Sequence, residues 1–128
     1  MKILSATELK ALRQARTPKA CNCSVGHCAS WESVPNERWP AAQMQHCATL
    51  RDEAVYEPTF EEYHPSGTRY DSADAPIAVQ FFPANRADVY QCNTCQHTLL
   101  RYTEFGGYYI DHRVREVKAE LVVTEPVN

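Results

Sequence analysis

The cysteines fall into a C-x-x-C pair, Cys92-Asn93-Thr94-Cys95, an upstream cluster of Cys21, Cys23 and Cys28, and a separate Cys47. The C-x-x-C spacing constrains the chain most. One tight turn can aim two sulfurs at a common point, and two more thiolates from a distant segment would complete a tetrahedral, closed site. An even number of cysteines in a secreted chain would instead suggest disulfides. Here the first residues, Met1 to Lys10, break their apolar run with Glu8 and Lys10 before a signal-peptide core could form. The expectation is therefore a cytoplasmic chain with reduced thiols and metal ligation. Zn²⁺ is the expected ion, and iron remains open because tetrahedral sulfur accepts both.

At 128 residues the chain suits one domain, residues 1–128, able to bury about two thirds of its unfolded surface. Acidic residues exceed basic ones by 16 to 13, which argues against a surface built throughout to attract phosphate backbones. No apolar run approaches the roughly 20 residues of a membrane span.

Ser5-Ala6-Thr7-Glu8 fits a capping box, with Leu4 and Leu9 as its hydrophobic staple and Pro18 as a stop. The pattern predicts a helix over about residues 6–16. From Lys19 to Trp31 nothing is periodic, and order there would have to come from bound metal. Pro40 opens a second predicted helix carrying Met44, Cys47 and Ala48 on one side. Short strands are expected over Thr59–Tyr63, Thr68–Tyr70 and Ile77–Phe82, separated by Pro- and Gly-containing turns. The C-terminal third reads as hairpins: Val89–Gln91, the C-x-x-C turn, Thr98–Phe105, a Gly106-Gly107 turn and Tyr108–Arg115. Placing Phe105 opposite Tyr108 puts Leu99, Arg101, Thr103 and Phe105 on one face with Ile110, His112 and Val114. The other face, with Leu100, Tyr102, Glu104, Asp111, Arg113 and Arg115, is more charged, so the first is expected to be core.

The segment Tyr90 to His97, with its flanking strands, resembles the knuckles of zinc-ribbon and rubredoxin-like proteins. Those knuckles usually have glycine after the second cysteine, whereas this chain has Gln96, which would have to tolerate an unusual backbone angle. Trp39-Pro40, His64-Pro65-Ser66-Gly67-Thr68 and Arg101–Tyr108 also resemble stretches of small uncharacterised bacterial proteins, a likeness that implies no activity.

The first ligand set is Cys23, Cys28, Cys92 and Cys95. Cys23-x4-Cys28 can wrap an ion, with Gly26 giving flexibility, while Cys21 competes for either upstream place and His27 is a further donor. Taken singly, each cysteine could be a small buried apolar residue, and Cys47 beside Met44 and Ala48 reads that way first. His97 could replace a cysteine or donate a hydrogen bond nearby. His64 with His112 or a carboxylate could form an open hydrolytic zinc site, although no H-E-x-x-H or H-x-E…P-C-x-x-C pattern occurs. Tyr102, Tyr108 and Tyr109 among Arg101, Arg113, Arg115 and Lys118 could stack on nucleic acid, but neighbouring Glu104, Asp111, Glu116 and Glu120 dilute the field. Trp31 and Trp39 suit either a binding surface or the cover of a small core.

The sequence thus points to an α+β fold, with an N-terminal helix, a second short helix, and a small antiparallel sheet ending in a zinc-knuckle hairpin. It reads as a non-enzymatic zinc-binding module that engages another protein. The rival is a thiol-disulfide redox protein or sensor using Cys92 and Cys95. Such pairs usually open a helix whose N-terminus lowers the thiolate pKa, and here the following residues are strand-like.

Overall fold

The computed structural model describes residues 2–19 and 28–125. Cys21 and Cys23 lie outside the described residues, as does His27. Among these residues the fold is mixed α+β: one helix, α1 (Ala6–Gln14), and strands β1 (Glu32–Ser33), β2 (Met44–Thr49), β3 (Asp88–Cys92), β4 (Thr98–Phe105) and β5 (Ile110–Glu116). The strands form one antiparallel sheet in the order β1-β5-β4-β3-β2.

Local chemistry sets α1. Ser5 Oγ accepts from the Glu8 amide at 3.2 Å, and Glu8 Oε1 accepts from the Ser5 amide at 3.1 Å, which completes the capping box. Leu4 and Leu9, the staple pair, are both buried in the main core. Arg13 Nε donates to the Val117 carbonyl at 3.0 Å, tying the last turn of the helix to the chain beyond β5.

A second helix is not among the described elements. Ala41–Gln43 makes a single 3-10 turn, and Met44–Thr49 is β2, paired with β3. Isolated helices this short rarely outlast the cost of nucleation, whereas β3 offers a row of backbone partners. Cys47 sits at an irregularity in that pairing, between His46 and Ala48. The strands expected over Thr59–Tyr63, Thr68–Tyr70 and Ile77–Phe82 are also not strands. This segment runs as turns and irregular chain, joined to the C-terminal region by an isolated bridge from Ile77 to Val122. Pro58, Pro65, Pro76 and Pro83 recur along it and deny the amides that a ladder needs.

β4 spans the expected residues, but the hairpin register differs. Phe105 pairs with Ile110, so four residues, 106–109, make the connection. Gly106 N–H donates to the Tyr109 carbonyl at 2.9 Å, and the exposed Tyr109 ring lies over Gly106 where a Cβ would stand, so a side chain there would displace that ring. A shift of two residues preserves which side chains share a face.

The faces themselves are used otherwise than expected. The more charged face carries the main core, in which Leu100, Tyr102 and Val89 pack with Leu4, Leu9, Trp31, Ile77 and Val117 under α1 and the 50–87 segment. The face expected to be core buries a smaller cluster, Cys28, Val34, Leu99 and Val114, with Trp39, Met44 and Tyr90 against it. Phe105 and Ile110, on that same face, are exposed at the hairpin end. Charge pattern misled because Arg115 on the main-core face is itself buried, at 2% exposure.

Because β4 is covered on both sides, Leu99→Ala and Leu100→Ala should each lose about 2–5 kcal/mol of stability in chemical denaturation. A negligible loss for Leu99→Ala would mean that the smaller cluster is not a packed core. The Glu8 carboxyl, hydrogen-bonded by Lys2 and then by the Ser5 amide, is held at about 2 against an ordinary 4.5. A depressed folded-state pKa stabilises above the unfolded value, so this contribution is present above pH 4.5 and fades as pH falls toward 2. Glu8→Gln should therefore flatten the acid limb of a stability-versus-pH curve in that window.

Candidate metal centre

The Cys92–His97 turn joins β3 to β4 beyond the Gln91–Thr98 pair. Cys92 N–H donates to the His97 carbonyl and Gln96 N–H to the Cys92 carbonyl, each at 2.9 Å. Gln96 has φ +66°, the left-handed conformation that glycine adopts most easily. The residue after Cys95 thus has the backbone angle that the C-x-x-C resemblance requires, without the glycine.

Side chains hold Gln96 there. Its Oε1 accepts from Arg16 Nη1, and its Nε2 donates to the Asn93 carbonyl at 3.2 Å. Arg16 Nη2 also donates to Gln91 Oε1 at 2.8 Å, and Gln91 Nε2 reaches Thr98 Oγ1 at 3.3 Å. Gln91 is 1% exposed, so its amide must be satisfied internally. Arg16, just past the end of α1, therefore links the turn to the strands on both sides of it. A non-glycine residue in this region costs about 1–2 kcal/mol, comparable to what these hydrogen bonds return.

Cys92 and Cys95 are buried, and Cys92 is a free thiol, so the pair is not closed into an internal disulfide. Cys92 Sγ lies 3.7 Å from Gln43 Oε1, and Asn93 N–H donates to the Gln43 carbonyl at 2.8 Å. A simple flip of the Gln43 amide would present an N–H to that sulfur, the partner a thiolate needs.

Both ends of the 20–27 segment are fixed near this turn. Lys19 N–H donates to the Cys95 carbonyl at 2.8 Å, and the Lys19 carbonyl faces His97 Nε2 at 3.1 Å. The Cys28 carbonyl accepts from Glu116 N–H at 2.7 Å, and the Glu116 carboxylate takes His97 Nδ1. His97 thus spans the two anchors, with both ring nitrogens against oxygen. By strand alternation Tyr90 and Cys92 share a face, and Tyr90 packs on the cluster that contains Cys28.

The described residues by themselves do not assemble a complete site. No group of three or more His, Cys, Asp or Glu side chains among them is placed to hold a metal ion. Cys92 and Cys95 supply two sulfurs, Cys28 is packed beside Val34, Leu99 and Val114, and Cys21 and Cys23 lie outside the described residues. Two buried thiols on one turn are a donor pair of the kind a closed thiolate site uses. His64 and His112 do not come together: His64 bonds Thr68 and Glu62, and His112 bonds Thr103. Cys47 is half-buried against the main core, its thiol pushed up by burial and pulled back less strongly by Arg16. Trp31 is buried on one face, edge-on to Tyr102 at 5.0 Å, and Trp39 covers the other under Arg101. Tyr102 and Arg115 are buried, leaving Tyr108 and Tyr109 exposed at the hairpin end. No helix among the described residues is long and apolar enough to cross a membrane.

Sequence reasoning missed Arg16, Gln43 and Gln91. A lone arginine after a helix and two glutamines carry no local signal. The chain matches no protein-family profile, no curated protein and no solved structure.

The left-handed turn gives a direct test. Gln96→Gly should leave the thermal midpoint near that of the unaltered chain, because relieved strain offsets the lost Arg16 contact. Gln96→Val should lower it clearly, since a β-branched residue tolerates positive φ poorly. Equal midpoints for the two variants would show that this backbone conformation is not required.

Proposed function

We propose that the chain is a small zinc-binding module in which a Cys-rich structural site ties the 20–27 segment to the Cys92–His97 knuckle, and that its task is to engage another protein rather than to catalyse a reaction. One observation carries the reading: the segment bearing Cys21 and Cys23 is anchored at both ends beside the knuckle, through Lys19 on Cys95 and Cys28 on Glu116. Cys21 is two residues beyond Lys19, a reach of at most about 7 Å, and Cys23 is four residues beyond, at most about 14 Å. Those spans are long enough to let both thiols reach Cys92 and Cys95.

The left-handed Gln96 and the burial of both knuckle cysteines support the same reading. So does the smaller size of this face's cluster among the described residues, four buried residues against thirteen in the main core. A metal would supply the cross-linking that a small apolar cluster cannot, and its binding free energy would become folding free energy. Cys21, Cys23, Cys92 and Cys95 are the favoured ligands. Cys28, packed beside Val34, Leu99 and Val114, is the alternative upstream ligand. Zn²⁺ bound there would neutralise thiolate charge and cross-link the turn to the loop.

Protein purified without chelator should contain one zinc per chain, and chelation should both expose reactive thiols and lower the thermal midpoint sharply. Cys92→Ser and Cys21→Ser should each abolish stoichiometric zinc, whereas Cys28→Ser should retain it. Loss of zinc in Cys28→Ser with retention in Cys21→Ser would reverse the assignment of the upstream pair. Iron in place of zinc would show as visible absorbance. A metal-free protein whose Cys92 and Cys95 form a reversible disulfide would overturn the reading in favour of thiol redox chemistry.

A further inference from the structure

On the opposite face of the sheet, Arg115 is 2% exposed and is among the largest fully buried side chains of the molecule. Its Nη2 donates to the Ala75 carbonyl, and its Nε has no hydrogen-bond partner. Asp74, the carboxylate that acts on it through space, is itself exposed, and no carboxylate among the described residues hydrogen-bonds to the guanidinium. Burial pulls the Arg115 pKa down to about 10, which still leaves it charged at neutral pH. A buried cation without an anionic partner is costly, and replacing such groups by apolar ones is often neutral or stabilising. Residues kept against stability in this way concentrate at functional sites.

Arg115 lines a cavity of about 20 Å³, walled by Trp31, Tyr70, Phe81 and Phe82 and with His64 at its margin. About 10–15 Å³ on this measure admits one water, so the space takes a group of one or two such units. A planar guanidinium edge matches a planar carboxylate in shape and charge. Aromatic walls favour a flat occupant over a tetrahedral one, and a phosphate would exceed the volume. Glu62 also lines the cavity, but its carboxylate is engaged by His64 Nε2 at 2.9 Å.

We propose that this cavity is a binding site for the carboxylate group of a small organic acid, with the Arg115 guanidinium as its anchor. The site lies on the main-core face, apart from the knuckle cysteines, and does not depend on the zinc reading. Trp31 on its wall provides a reporter, and Trp39→Phe removes the other tryptophan, which packs on the opposite face against Tyr90.

Formate titrated into the Trp39→Phe protein at constant ionic strength should change Trp31 fluorescence saturably, with a Kd of about 1 mM or weaker, the range expected for so few heavy atoms. Acetate should bind more weakly than formate, and propionate more weakly again, because the cavity is small. Arg115→Met, in the same background, should be at least as stable as its parent and lose the formate response by tenfold or more. No saturable change, an equal response to chloride, the reverse size order or an unaltered response in Arg115→Met would each overturn the proposal and leave Arg115 as a water-satisfied strut. If Arg115→Met does not fold, the size order and the chloride comparison on the Trp39→Phe protein decide the question.

Discussion

The double burial of β4 is the constraint from which the rest of the structure follows. Leu99 and Leu100 are adjacent, point to opposite faces, and are both fully buried. A sheet in that position needs a cover on each side. α1 and the 50–87 segment supply a thick cover over Leu100. Over Leu99, among the described residues, Cys28, Val34 and Trp39 supply a smaller one. The asymmetry explains where cross-linking matters: the side with the smaller described cluster gains most from any bond that ties its cover to the sheet, and Cys28 is packed there.

Glu116 and Arg115 show how one strand serves both sides. Glu116 N–H takes the Cys28 carbonyl and its carboxylate takes His97, at the cysteine end of the Leu99 face. Arg115, one residue earlier, points the opposite way and is buried beside Ala75. Alternation along β5 therefore separates a charge used to hold a turn from a buried charge to which, among the described residues, no carboxylate is hydrogen-bonded. The two environments differ in what their surroundings already satisfy. The Glu116 carboxylate has its partner, whereas the Arg115 Nε–H does not.

What was legible in the sequence was what local chemistry decides. The capping box and staple located α1 because Ser5, Glu8, Leu4 and Leu9 interact within a few residues of one another. β4 was legible from its alternation and from the Gly106-Gly107 break. β2 was misread because Pro40 followed by Ala41 and Ala42 looks like a helix start, and only the open edge of β3, far along the chain, decides that Met44–Thr49 extends. The hairpin register was missed because Gly106 and Gly107 lie within a four-residue connection, 106–109, rather than forming a two-residue turn by themselves. The knuckle cysteines could be read from spacing, whereas the device that holds Gln96 could not, since Arg16 is distant in sequence and ordinary in type.

Arg115 is the hardest case for sequence reasoning, and the reason is physical. In an alternating strand an arginine is ordinarily taken to mark solvent, and together with Asp111 and Arg113 it made the main-core face look exposed. Burial reverses that meaning only because the 50–87 segment, which has no regular structure to predict, folds across it and brings Ala75 to its guanidinium. A charge carried into a core against its own hydration must be compensated by geometry, by a partner or by use. The Ala75 carbonyl satisfies one N–H, Nε is left without a partner, and the residue borders a small cavity, so the compensation visible in the fold is incomplete.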